Sequence, residues 1–245
     1  MCQDCSLDMK ILYLAKEPDV GVRNDLSRLS GEVTIVDCLD GYIDWYKKKG
    51  YNCISKDVFF DSNNMRFDAV IGNPPYGKNS SLAVKFLNKA SELSDTIHMV
   101  LPRTFRKPSI INRLNPHLHL VEDKDVDDAA FRGSIIACVQ RWEVRTEKRE
   151  RIETFTSHPD FTFCKKSDAD VCLGRVGGGP SGKVFSEWEH RSENSHYFLK
   201  VRDPEVIGNL RSLYLEFREA ALQTVGCPSL SKDDCVKIYS NHFGQ

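Results

Sequence analysis

Phe67-Asp68-Ala69-Val70-Ile71-Gly72-Asn73-Pro74-Pro75-Tyr76-Gly77 is a short apolar run that stops on two consecutive prolines. The run from Phe67 to Ile71 is too short for a helix and apolar enough for a buried parallel strand. Proline lacks the N–H that a strand ladder needs, so a central strand cannot continue through Pro74 and Pro75. The segment therefore predicts a rigid loop at the carboxyl edge of a parallel sheet, the place where open α/β folds bind ligands. Asn73 points its side-chain amide into that crevice.

Upstream, Met9 to Ala15 reads as a first strand, followed by the Pro18 and Gly21 interruption. A weak helical turn (Asp25 to Leu29), a β-branched strand (Glu32 to Cys38), a short helix (Ile43 to Lys49) and a strand (Tyr51 to Ser55) complete the approach. Downstream, Ser81 is placed to cap a helix whose Leu82, Phe86, Leu87, Ala90 and Leu93 share one face. Strands return at Thr96 to Leu101, Leu118 to Val121 and Ser134 to Trp142. This alternation predicts an α/β fold, a doubly wound sheet with right-handed crossovers, over residues 1–150. After Glu150 it stops. Residues 151–245 read as a smaller α+β unit with strands at Asp160 to Cys164 and Tyr197 to Val201. One helix there starts at Asp203-Pro204, presents Val206, Ile207, Leu210, Leu213, Tyr214 and Phe217, and ends before Gly226 and Pro228.

The 245 residues carry 34 Lys+Arg against 35 Asp+Glu, and 40% are hydrophobic, which excludes disordered and fibrous classes. No apolar run reaches membrane-spanning length and the N-terminus lacks a secretory layout, so a cytoplasmic protein is expected. The nine cysteines read mostly as reduced core thiols. Charge is uneven, however. Thr96 to Val121 contains no acid, and its Arg103, Arg106, Lys107 and Arg113 are candidates for a phosphate backbone. A second cluster runs through Arg141, Arg145, Lys148, Arg149 and Arg151.

The Asn-Pro-Pro-Tyr loop suits one kind of chemistry. The lone pair of an exocyclic base amine is delocalised into its ring, which makes it a poor nucleophile. The Asn73 carbonyl oxygen and the Pro74 main-chain carbonyl are placed to accept hydrogen bonds from that NH2. Those bonds pull the nitrogen toward tetrahedral geometry and aim its lone pair at an electrophilic methyl. Tyr76 would stack on the base, worth about 1–3 kcal/mol.

On these residues the chain resembles the amino-group methyltransferases that use S-adenosylmethionine on a Rossmann-like class I sheet, especially the DNA adenine-N6 type. The resemblance covers residues 9 to 145 and makes Asn73, Pro74, Pro75 and Tyr76 the expected catalytic loop. It implies Asp37, in Val36-Asp37-Cys38-Leu39-Asp40, as the acid for the cofactor ribose, and Asp57 for the cofactor adenine. It implies Phe131, in Phe131-Arg132-Gly133-Ser134, as a second wall for a base flipped out of the duplex. Where the family has a glycine-rich turn after the first strand, this chain has Leu14 to Gly21, of which only Gly21 is glycine. Glu17 or Asp19 is the candidate there for the cofactor amino-acid moiety. The resemblance implies S-adenosylmethionine as cofactor, no metal, and duplex DNA with a short adenine-containing site as partner. No nuclease signature accompanies these motifs, so an orphan enzyme of a bacterium or a phage-infected host is expected. Methylation of RNA or a protein glutamine, and a non-catalytic binding module, are the competing readings.

Other constellations are weaker. Gly177 to Lys183 superficially matches a phosphate-binding loop but has Val184 where Ser or Thr is needed. It reads as a loop of the second unit that touches DNA through Arg175 and Lys183. Cys2, Cys5, Cys227 and Cys235 have poor zinc spacing, and His196 reads as a loop or strand residue.

Overall fold

The computed structural model describes residues 9–16, 26–126, 137–224 and 227–244. Among these, the residues up to Ile152 form one compact unit and those from Glu153 onward a second.

The first unit is built on seven strands: β1 Lys10–Ala15, β2 Glu32–Asp37, β3 Asn52–Ser55, β4 Ala69–Gly72, β5 Thr96–Pro102, β6 Leu118–Asp125 and β7 Ala137–Val144. Their order in the sheet is β3-β2-β1-β4-β5-β7-β6. The pairs from β3 to β5 are parallel, and β7 runs antiparallel to both β5 and β6. The expected α/β sheet is present, with an antiparallel edge. Successive side chains of a strand face opposite sides, so β1 feeds two cores. Leu12 and Leu14 join Phe59, Phe86, Ile97 and Leu101 on one face, and Tyr13 and Ala15 join Ile35 and Tyr46 on the other.

Helices α1 Ile43–Lys48, α2 Lys56–Asp61, α3 Ser81–Leu93 and α4 Pro108–Ile111 complete this unit. Helix α3 buries Phe86, Leu87, Ala90 and Leu93 of the expected face, with Leu82 half-buried, and adds Ala83 and Val84. Phe86 stacks on Phe59 at 5.4 Å, and truncating it to Ala costs about 3–5 kcal/mol. Several boundaries differ from expectation, two of them informative. The N-cap of α3 is Ser80 rather than Ser81. Strand β6 continues past Val121 to Asp125, because β7 supplies a ladder that an edge strand accepts despite its charged residues.

The second unit is an antiparallel sheet in the order β10-β9-β11-β8, with β8 Phe161–Cys164, β9 Val171–Gly174, β10 Val184–Phe185 and β11 His196–Val201. Helices α5 Glu205–Ser212, α6 Tyr214–Leu222 and α7 Lys232–Phe243 share its core: Phe161, Leu173, Leu199, Leu210, Phe217 and Tyr239. The single helix expected after Asp203 is two. Leu213 leaves helical geometry (φ −87°, ψ 14°) while burying its side chain. The sequence reading missed α7, which opens on a Ser231–Asp234 capping box.

Candidate active site

Because β1 to β4 run parallel, their carboxyl ends gather Lys16, Asp37, Lys56, Asp57 and Asn73 along one edge. At Gly72 (φ +146°) the strand approaches β1 so closely that a Cβ would lie 2.3 Å from the Leu14 carbonyl oxygen. That carbonyl accepts the Asn73 N–H at 3.2 Å. The sequence thus fixes the height at which the Asn-Pro-Pro-Tyr loop leaves the sheet.

Pro74 and Pro75 are buried. The Tyr76 carbonyl accepts the Leu82 and Ala83 N–H groups at 3.1 and 3.2 Å, which ties the loop to the start of α3. Between them the chain turns through Gly77, Asn79 and Ser80 at positive φ. Two of these are not glycine, a local strain of the kind that gathers at functional loops. Ser80 Oγ lies 2.9 Å from Thr104 Oγ1. Within this stiff loop, Asn73 Oδ1 and Tyr76 Oη are buried with no hydrogen-bond partner among the described residues. A buried acceptor left this way costs about 1–3 kcal/mol, so the loop is arranged for a donor that arrives from outside. Burial pushes the Tyr76 phenol up, so it keeps its proton. The Lys16 ammonium stands 5.7 Å from the Tyr76 ring centroid. Lys16 went unnoticed in the sequence, although its place one residue beyond β1 put it on this edge.

A cavity of about 270 Å³ is lined by Tyr13, Arg28, Ile71, Gly72, Asn73 and His98, among others. Burial, helped by the Arg141 charge, lowers the His98 pKa and keeps the imidazole neutral.

The candidate cofactor acids behave differently from one another. Asp57 is exposed in the first turn of α2, as a cofactor contact requires. Asp37, the better ribose candidate by sequence, is fully buried. Its Oδ1 accepts the Leu39 N–H at 3.2 Å and its Oδ2 accepts the Tyr42 N–H. In this structure it shapes the turn after β2 instead of facing the open edge. Asp40 (φ +57°) is tied to Lys56, accepting its N–H at 3.0 Å and pairing with its ammonium. The Lys56 hydrogen bond holds the Asp40 carboxyl below its ordinary value. The orphaned Asn73 oxygen, the exposed Asp57 and the close-approach Gly72 fit a nucleoside cofactor, whereas Asp37 would have to be uncovered. Glu17, Asp19 and Phe131 lie outside the described residues.

Two arginines of the basic window have acidic neighbours. Arg106 grips Asp123 through two nitrogens, Nε to Oδ2 at 2.9 Å and Nη2 to Oδ1 at 2.5 Å, and reaches Asp125 at 2.8 Å. Arg103 lies 3.1 Å from Asp125. Both arginines are held by acids of β6, just past the window in which the sequence has none. Burial opposes the Asp123 charge, but the hydrogen bonds from Arg106 and Gln140 outweigh it and hold its carboxyl below its ordinary value. Arg113 is exposed and donates to the Asn79 carbonyl at 3.1 Å. Lys107 is half-buried, and its N–H donates to the Thr104 carbonyl at 2.9 Å.

In the second unit, Arg175 lies 5.2 Å from the Tyr197 ring and Lys183 6.0 Å from the Tyr214 ring. The glycine-rich loop between them is packed. Ser181 is fully buried, donates to the Gly177 carbonyl at 2.5 Å and accepts from Arg218 Nη1 at 3.1 Å. No group of residues suited to a metal ion occurs among the described residues, and their cysteines are free thiols. No helix among them is long and apolar enough to cross a membrane.

Comparison with known proteins finds that residues 24–109, about a third of the chain, match the family model of the Eco57I restriction-modification methylase. A search of curated proteins finds no match. Among solved structures, a candidate RNA methyltransferase from Pyrococcus horikoshii is 19% identical, with 56% of this chain and 75% of that one covered and a TM-score of 0.43. The N-methyltransferase NodS from Bradyrhizobium japonicum is 12% identical, with coverages of 56% and 85% and a TM-score of 0.43. The 23S rRNA methyltransferase ErmE is 20% identical, with coverages of 58% and 63% and a TM-score of 0.41. Likenesses at this level carry no argument, and the fold rests on the sheet order described above. Over residues 24–109, which include the Asn73 to Tyr76 loop, the chain is thus similar to a restriction-modification methylase, and that match implies S-adenosylmethionine as its cofactor.

Proposed function

We propose that this protein transfers a methyl group from S-adenosylmethionine to the N6 amine of adenine in DNA. One observation carries the reading: Asn73 Oδ1 is a buried acceptor without a partner among the described residues, on a proline-stiffened loop at the carboxyl end of β4. An amine that must be held for attack is the donor such an acceptor lacks. The bound cofactor supplies an electrophilic methyl group on a sulfonium. Asn73 Oδ1 and the Pro74 carbonyl accept the two amine hydrogens, which draws the nitrogen out of conjugation and aims its lone pair. The loop is rigid before the substrate arrives, so little reorganisation is needed as charge develops.

Tyr76 packs against the base, and Phe131 is its proposed counterpart. Asp57 and Glu17 hold the cofactor, joined by Asp37 if the turn after β2 opens. On methyl transfer, which leaves the cofactor a neutral thioether, the methylated nitrogen releases one of its two protons to solvent. The second unit supplies target recognition.

Enclosure of Asp37, with the single glycine after β1, favours a second reading, a non-catalytic relative that binds nucleic acid or a partner. Calorimetry with S-adenosylmethionine separates the two. Binding that weakens about tenfold or more in Asp57→Ala supports the enzyme, and no binding at millimolar cofactor supports the module. Offering radiolabelled cofactor with DNA, RNA or a glutamine peptide then identifies the acceptor. Label in DNA alone is expected, and label in RNA or peptide alone would overturn the DNA assignment.

A further inference from the structure

We propose that the second unit grips the phosphodiester backbone of a nucleic-acid strand at a lysine-lined cavity where β8 ends beside β11. This deepens the DNA reading above and depends on it. The cavity, about 230 Å³, is walled by Phe163, Lys165, Lys166, His196, Tyr197 and Lys232, with Glu193 as the acid among its lining residues.

The fold opens this place by letting one strand outrun its neighbour. Strand β8 stops at Cys164 opposite Phe198, while His196 and Tyr197 continue alongside β9. Charge then accumulates at the gap. No carboxylate of the described residues lies within ion-pair distance of Lys165, Lys166 or Lys232, in contrast to Arg103 and Arg106. Lys166 is aimed by its bond to the Arg191 carbonyl at 2.9 Å. The Lys232 ammonium sits 4.7 Å from the Phe163 ring and 5.9 Å from the Tyr197 ring. Those two rings meet edge to face at 5.1 Å.

Cations beside aromatic rings form the pairing used for nucleic-acid strands, with charge for phosphate and a π-face for the base. The volume is a little below the roughly 300 Å³ of the smallest ligand pockets, so it admits part of one nucleotide. His196 supplies a further contact. It is 8% exposed, and its Nδ1 lies 3.0 Å from Ser195 Oγ and 3.2 Å from the Ser192 carbonyl oxygen. Nε2 is buried without a partner among the described residues, suited to a polar group of the base or the sugar.

The test is fluorescence anisotropy of the full chain with a labelled duplex of about 20 base pairs across a salt series. The triple variant Lys165→Gln/Lys166→Gln/Lys232→Gln is compared with Lys47→Gln/Lys48→Gln/Lys49→Gln, an equal loss of charge on α1 and the residue after it. We expect the cavity variant to bind at least about tenfold more weakly and to lose roughly 2–3 from its log–log salt slope, at about 0.9 per phosphate contact, while the control changes little. Both variants should melt as the wild type does. Equal losses in both, or an unchanged slope in the cavity variant while the wild type binds DNA, would overturn the site and leave the DNA reading standing. A wild type that binds neither DNA nor RNA would overturn both.

Discussion

Two basic clusters, one in each unit, use their positive charges in opposite ways. In the first, Arg103 and Arg106 are spent on Asp123 and Asp125. In the second, Lys165, Lys166 and Lys232 surround a cavity with no acid of the described residues in ion-pair reach. A window without acids in sequence is therefore not a surface without acids, because a neighbouring strand can bring them alongside. The first unit leaves a different kind of group unsatisfied, the Asn73 acceptor, which matters for chemistry more than for attraction. On the proposed function, reaction falls to the first unit and grip to the second.

The largest expected effect follows from Asn73. Asn73→Ala should lower the methylation rate by about 10²–10³-fold or more, the cost of losing one preorganised acceptor in a polar transition state. DNA affinity and melting temperature should stay near wild type. Loss of affinity in this variant would blur the division between reaction and grip, and a collapsed fold would make the loop structural.

Next comes the aromatic wall of the cavity. Phe163→Leu should weaken DNA binding by about 1 kcal/mol, roughly fivefold, with the salt slope unchanged, because it removes stacking and no charge. A changed slope would mean that Phe163 serves only to position Lys232.

Arg106→Ala should behave in the reverse way. It removes a two-nitrogen grip on Asp123, and since about a third of the Arg106 side chain is exposed we discount the loss to about 1–2 kcal/mol of stability. Urea unfolding checks this, and the salt slope of DNA binding should not move. A slope reduced by about 1 with stability intact would return Arg106 to the phosphate backbone.

The smallest effect concerns pH. The folded-state pKa of Asp123 is depressed, so its contribution to stability is present above the unfolded value near 3.9 and is lost as pH falls through the folded value. Stability measured by urea unfolding should drop below about pH 4, and less steeply in Asp123→Asn. Identical acid limbs would remove the pair from the account.

The parts of this structure that were legible in the sequence are those written locally. The strand into Asn73 was readable because two prolines leave the ladder no alternative, and α3 because its apolar residues keep a helical period. Helix α7 carries a local signal too, Ser231 and Asp234 three residues apart at its start. What could not be read depends on contacts distant along the chain. Arg106 meets Asp123 only because β6 extends four residues beyond Val121 along β7. Asp37 is closed off by the amides of Leu39 and Tyr42, whose positions follow from a turn that includes Asp40 at positive φ. Lys165 and Lys232 share a cavity through the packing of α7 on the second sheet, and neither carries a local signal.

The most direct test is methylation of unmethylated duplex DNA with S-adenosylmethionine, read by mass spectrometry of the digested nucleosides, beside Asn73→Ala. The account predicts N6-methyladenine in the wild-type digest and none above background in the variant. Methyl groups on another base or none at all from a wild type that binds cofactor and DNA, or an equal yield from Asn73→Ala, would contradict it.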